Sequence, residues 1–309
     1  MISRRNIRVK VMQTLYTIEA LEHNTKPGEE TKILESHLEQ SRQLFIFLVW
    51  FLTEVARYAE EDSRHRASKH LPSKEDLAVN TKISGNTLLW NILELPSFQL
   101  AVAKDKPFLI PDTADWTRKI YNHLVETPLY QEYIKLQERN KDSEKDILEF
   151  VFTDLMLPDE DFVSFVEETF VHWDDDSEMM NLLLLGFLQK PRAYNFQEFL
   201  GKEKAQFARD LLHTVLSKED QLSKLINPRL QNWDAERIAV LDMILMKMGT
   251  AEFLFFDTIP TKVTINEYID LAKDYSTAQS GQFVNGILDN IHKELLTQQL
   301  IHKTSHKNS

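Results

Sequence analysis

The chain has 309 residues, 42% apolar and 27% charged, with a formal net charge of −12. That is the composition of a soluble globular protein long enough for two domains, and it excludes a disordered chain. There is no cysteine, which excludes disulfides, thiolate-ligated zinc and a thiol nucleophile, and only 7 residues are glycine. Scarce glycine argues for long helices with short connections and leaves little from which to build a phosphate-cradling loop.

The positive charge is gathered at the front. Residues 1–18 carry +4, from Arg4, Arg5, Arg8 and Lys10, and the remainder carries −16. An acidic total argues against wholesale coating of nucleic acid, so any such binding must be local. The basic stretch is not followed by the apolar region of a secretory signal. The longest apolar run, LFIFLVWFL at 44–52, has nine residues, whereas a membrane span needs about 20. The expectation is a cytoplasmic protein with no membrane contact.

Residues 4–21 predict one helix, because Ile7, Val11, Leu15 and Ile18 form a single apolar stripe. Arg4, Arg5 and Arg8 lie on its first two turns, where positive charge opposes the helix dipole by roughly a few tenths of a kcal/mol. An anionic ligand would offset that cost; a solvated basic turn is the alternative. HNTKPGEET at 23–31 is a loop. Residues 32–66 predict a second helix around Trp50 and Phe51. RHRASKH at 64–70 is another basic cluster, but it follows EEDS, so a mixed surface competes with a binding patch. Pro72 and KISGN at 82–86 predict a boundary.

Residues 86–199 predict several helices punctuated by Pro96, Pro107, Pro111, Pro128, Pro158 and Pro191. Glu168 and His172 share a helix face ahead of Asp174, Asp175 and Asp176, and a solvated acidic face explains them better than a metal. The ten histidines show no HExxH spacing, and no GxxxxGK[ST], GxGxxG or GxSxG is present. No catalytic residue, metal or cofactor is expected, and the chain is not expected to be an enzyme.

Beyond 200, EKAQFARDLLHTVLSKEDQLSKLI predicts a helix ended by Pro228. WDAERIAVLDMILMKMG predicts another, capped by Asp234 and stopped at Gly249. TINE at 264–267 has capping-box form. The last helix is expected from about 280 to 296. Asn285-Gly286 is a hairpin signal, but Phe283, Ile287 and Ile291 repeat at four, so the segment predicts helix. A mid-helix glycine costs roughly 1 kcal/mol against alanine, which suggests another element packs close at Gly286.

Two stretches carry a resemblance. IPTKVTINEYIDLAKDYSTAQSGQFVNGILDNI at 259–291 resembles the signature end of the NusB transcription antitermination factors, through Val263, Ile265, Asn266, Glu267, Ala272, Lys273, Ser280, Phe283, Val284, Asn285, Gly286, Leu288 and Asp289. The front agrees with it: family members open with Arg-Arg-x-x-Arg, four residues, then Gln-x-Leu-Tyr, matched by Arg4, Arg5, Arg8, Gln13, Leu15 and Tyr16. The resemblance covers about 1–22 and 200–296. It is broken by a helical insertion at 23–199 that short members lack, and 297–309 is expected to be a disordered tail.

The resemblance implies an all-α fold of two small helical subdomains with an added helical insertion. It implies a factor that pairs with NusE, a ribosomal protein of the small subunit, and binds boxA-type single-stranded RNA. The pair helps the RNA polymerase antitermination complex read through terminators, notably in ribosomal RNA operons. By resemblance, Arg4, Arg5, Arg8, Gln13, Tyr16, Ser280, Gln282 and Phe283 are the RNA-binding candidates, which requires 4–16 and 280–286 to meet in space. Ser280, with the backbone N–H groups that open its helix, is the expected phosphate seat. Tyr16 and Phe283 are either base platforms or core. Where many members carry a basic residue before the phenylalanine, this chain has Gln282, which removes one phosphate contact. Asp234, Glu236 and Asp242 are expected to face the basic partner. A homodimer of the free protein is compatible with this reading. The alternative is a helical protein-interaction module that kept the fold without RNA binding. NusB-like domains also precede ribosomal RNA cytosine methyltransferases, but those need catalytic cysteines, which this chain lacks.

Overall fold

The computed structural model describes residues 2–24, 26–230 and 238–304. The fold is all-α, with no strand among the described residues. The helices are α1 Arg4–Ala20, α2 Glu29–Ala67, α3 Thr87–Leu93, α4 Pro96–Asp105, α5 Thr113–Glu126, α6 Pro128–Lys135, α7 Lys141–Phe150, α8 Glu160–Thr169, α9 Trp173–Gln189, α10 Lys202–Ser217, α11 Glu219–Ile226, α12 Val240–Phe255, α13 Thr261–Tyr275 and α14 Ser280–Thr297. Among the described residues, no helix is long and apolar enough to cross a membrane.

The chain divides into two compact units. One holds Ile2 and Glu39–Phe199; the other holds Ser3–Leu38 and the residues from Leu200 onward. The start of α2, through Leu38, belongs to the second unit. Arg209 holds Glu35 at 3.1 Å and Thr14 meets His37 at 3.2 Å.

The unit spanning 39–199 is built on aromatic packing. Residues 44–52 are buried without exception, as a run apolar on all sides requires. Phe45 stacks on Phe196 at 5.5 Å and meets the edge of Phe187 at 6.0 Å. Phe51 packs on Phe162 at 4.9 Å, and Trp116 stacks on Phe165 at 5.8 Å. Pro96 and Pro128 open α4 and α6, where a missing N–H costs nothing. Residues 82–86 are no boundary: Asn86 caps α3 by accepting from Leu88 and Leu89 N–H. The 64–70 cluster is a mixed surface, with Arg66 on Asp62 and Lys69 on Asp76.

In the other unit, α1 is opened by a reciprocal cap between Ser3 and Asn6, and its stripe of Ile7, Val11, Leu15 and Ile18 is buried. The helix expected after 203 is broken at Lys218 into α10 and α11. Gly249 does not stop α12, which continues to Phe255. TINE caps nothing: Pro260, at φ −61° and ψ 138°, starts α13 and its carbonyl accepts the Thr264 N–H at 3.1 Å. Thr264 therefore lies inside the helix and faces the core. Lys303, in the expected tail, donates to the carbonyls of Glu252 and Phe256 at 2.7 and 2.8 Å, satisfying acceptors that the end of α12 leaves open.

The glycines exchange their expected roles. A Cβ on Gly286 would meet nothing within 4 Å, whereas one on Gly249 would lie 3.0 Å from both Leu288 methyls and 3.3 Å from Tyr268. Close packing of α12 on α14 therefore rests on Gly249. Gly286→Ala should raise the unfolding free energy by about 1 kcal/mol through helix propensity alone. Gly249→Ala should return less than that gain, because Leu288 must shift. Urea midpoints of the two variants check this, and equal gains would refute it.

Candidate nucleic-acid interface

α1 carries the cationic candidates to different fates. Residues 7–12 are buried on every side of the helix, so depth along α1 decides which basic side chains are enclosed. Arg8 is 2% exposed. Its Nε donates to Glu252 Oε1 at 2.7 Å, its Nη2 to Glu252 Oε2 at 3.1 Å, and its Nη1 to Glu267 Oε2 at 3.3 Å. The guanidinium also lies near the rings of Phe207 and Tyr268, at 5.6 and 5.8 Å from their centroids. Glu252 is fully buried and accepts further from Tyr268 Oη at 2.8 Å and Thr264 Oγ1 at 3.0 Å. Burial works to lower the Arg8 pKa, but the hydrogen bonds and charge of Glu252 outweigh it and hold the guanidinium above its ordinary value. Burial, then the Glu252 charge, pushes the Tyr268 hydroxyl up. The expectation of an Arg8–RNA contact is therefore corrected: its donors are turned to the protein core. Lys10 is buried as well.

Arg4 and Arg5 remain partly exposed on the first turn. Arg4 Nη2 lies 2.7 Å from Glu203 Oε1, with its guanidinium 5.4 Å from the centre of the Phe207 ring. Arg5 Nη2 lies 2.6 Å from Asp274 Oδ2. Asp274 stands in the last turn of α13, just before the corner into α14. At that corner Gly281 packs against the Lys273 side chain. The Arg5–Asp274 pair thus brings the first turn of α1 to the end of α13, one residue from the Lys273 that Gly281 packs against; on the turn that follows, Gln282 is exposed and Phe283 half-buried.

Ser280 is not a phosphate seat. It is 1% exposed, its Oγ donates to Asp242 Oδ2 at 2.7 Å, and its N–H donates to the Thr277 carbonyl. The N–H groups of Gln282 and Phe283 both reach the Gln279 carbonyl at 3.1 Å. Asp242, at 4% exposure, is likewise removed from any partner surface: it stabilises the start of α14 from within. Asp234 and Glu236 lie outside the described residues. Gln13 is half-buried and Tyr16 exposed. Tyr16 is eleven residues beyond Arg5, about 16 Å along the helix, so it does not join the corner region.

The sequence reading missed Glu252, Thr264, Tyr268 and Phe207. One signal was available: Glu252 is the lone acid in MILMKMGTAEFLFF, and a carboxylate on an apolar helix needs a buried cation. The set of potential metal ligands found among the described residues is Glu19, His23 and Glu219. Lys247 Nζ lies 2.7 Å from Glu219 and 3.7 Å from Glu19, so an ammonium already pairs with those acids.

The NusB family model matches residues 172–293. The transcription antitermination protein NusB of Bacillus licheniformis is 36% identical over 95 residues, 31% of this chain and 74% of that protein. The chain belongs to the NusB family. The NusB proteins of Desulfatibacillum aliphaticivorans and Salinibacter ruber are 43% and 40% identical over 94 and 98 residues. Those segments are 30% and 32% of this chain, and the chain spans 66% and 61% of those relatives' own lengths. A solved structure of T. maritima NusB is 38% identical, covering 32% of this chain and 72% of that one, with a TM-score of 0.30. The NusB match begins at 172, so α1 lies outside it; in space, Arg8 ties α1 to α12 and α13 inside it.

Proposed function

We propose that this NusB-family chain is a non-catalytic transcription antitermination factor that binds boxA-type single-stranded RNA together with NusE, within the RNA polymerase antitermination complex. The observation that carries the RNA reading is the corner beside α1. Arg4 and Arg5 project from a turn whose position Arg8 anchors in the core, and Arg5 stands next to the α13–α14 corner with Lys273, Gln282 and Phe283. Guanidinium groups suit phosphate, and Gln282 and Phe283 can address an unstacked base. With Asp242 buried, the NusE contact falls to other residues.

The double variant Arg4→Ala/Arg5→Ala should weaken binding of a boxA single strand. It should also flatten the log–log salt dependence by up to about 1.4, at roughly 0.7 per phosphate contact. A smaller drop with poorer discrimination against mutated boxA means that one arginine reads a base. Unchanged affinity and slope would remove the RNA reading. The alternative, a protein-interaction module without RNA binding, is favoured by one fact: both exposed arginines already hold carboxylates. It predicts no salt-dependent RNA shift in the wild-type chain.

A further inference from the structure

Glu203 and Asp274 come from different helices and meet neighbouring arginines on one turn of α1. Glu203 lies in the first turn of α10, where the helix dipole favours negative charge. Asp274 lies in the last turn of α13, where the dipole disfavours it. Arg4 and Arg5 in turn sit at the end of α1 that disfavours positive charge. The Arg5–Asp274 pair joins two groups that each oppose their own helix, and each offsets the other's cost. Both acids are solvated, with side chains 82% and 54% exposed, so either can swing away without unfolding anything.

We infer that Glu203 and Asp274 are internal counter-ions that compete with RNA phosphate for Arg4 and Arg5 and thereby set the affinity and salt threshold of the site. This rests on the reading that the first turn of α1 meets RNA. A phosphodiester and a carboxylate offer a guanidinium the same kind of anionic oxygen. Binding is then an exchange in which phosphate enters and carboxylate leaves. The displaced carboxylate faces the polyanion and gathers back part of the cation atmosphere that the RNA releases. Salt dependence is therefore shallower than two unpaired arginines would produce.

The test titrates the full chain with a short fluorescent single strand carrying boxA at several salt concentrations. Glu203→Gln/Asp274→Asn should bind about 2- to 30-fold tighter at low salt, the range two exposed ion pairs span. Its slope should steepen by whatever part of the two arginines' full contribution, about 1.4, the wild-type chain does not already show in the Arg4→Ala/Arg5→Ala comparison. Each single substitution should give part of the gain. Glu22→Gln/Asp220→Asn makes the same change in net charge elsewhere on the unit and should shift binding less than about 2-fold at roughly 0.15 M salt, where charges are screened beyond about 8 Å. Circular dichroism and urea midpoints should match wild type for all of these surface variants. If the first double variant binds no tighter than the control, the inference is overturned, and the RNA reading survives as long as Arg4→Ala/Arg5→Ala still weakens binding. If that arginine variant binds like wild type, both fall together.

Discussion

Arg8→Ala should destabilise the unit that contains α1 and α10–α14 by about 3–5 kcal/mol, the cost of leaving a buried charge without its partner. The stranded group is Glu252, fully buried, which keeps the hydroxyls of Thr264 and Tyr268 as hydrogen-bond donors but loses the charge that balances it. Glu252→Ala should be as severe, since it strands the guanidinium. Replacing both by apolar residues of similar length, Arg8→Met with Glu252→Leu, should cost less than either single change, because no charge is then left buried. Urea unfolding followed by hydrogen exchange at α12 and α13 amides measures this. A loss under about 0.5 kcal/mol for Arg8→Ala would refute the network. The result also separates two roles for an arginine in a basic motif. A phosphate contact changes the salt slope of RNA binding and leaves stability alone, whereas Arg8 should change stability first.

Glu144→Ala should destabilise the unit spanning 39–199 by about 3 kcal/mol. Glu144 is 1% exposed and gathers donors from three places. Tyr133 Oη and Arg139 Nη1 reach its Oε1 at 2.9 and 3.0 Å, and the Thr87 N–H reaches its Oε2. Its backbone carbonyl accepts from Asn86 Nδ2 at 2.7 Å, so α3, α6 and α7 are joined at one residue. Removing the carboxylate leaves Tyr133 Oη buried without an acceptor, costing about 1–3 kcal/mol, and takes the partner from the Thr87 N–H that opens α3, while that amide, on an exposed residue, and Arg139 recover part of their loss in water. Glu144→Gln should retain part of this stability, since an amide oxygen can still accept. Hydrogen exchange should place the loss in α3 and α7 amides. Full retention of stability in the alanine variant would sink this account.

The class of the fold was open in the sequence because helices advertise themselves locally. The stripe of Ile7, Val11, Leu15 and Ile18, the spacing of Phe283, Ile287 and Ile291 against the Asn285-Gly286 signal, and the scarcity of glycine are all readable within a few turns. Start signals were weaker evidence. TINE has the right letters for a cap, but Pro260 begins α13 one turn earlier, and a Thr–Glu pair inside a helix has the same spacing. Gly249 and Gly286 look alike in sequence, and only the approach of Leu288 distinguishes them.

The sequence by itself determined that the chain is helical, that its front is basic, and that its C-terminal part carries the NusB family pattern. Tertiary structure alone decided what the basic residues do. Arg8 finds its carboxylates 244 and 259 residues away, and Ser280 finds Asp242 across 38. Arg4, Arg5 and Arg8 are equivalent as letters and as charges. All three share one face of the helix, at i, i+1 and i+4, but Arg8 lies one turn deeper, where residues 7–12 are buried on every side, and so ends in a buried ion pair, while Arg4 and Arg5 stay partly exposed on the first turn. Periodicity fixes the stripe, but the partners waiting inside are placed by other helices, and no local pattern records them.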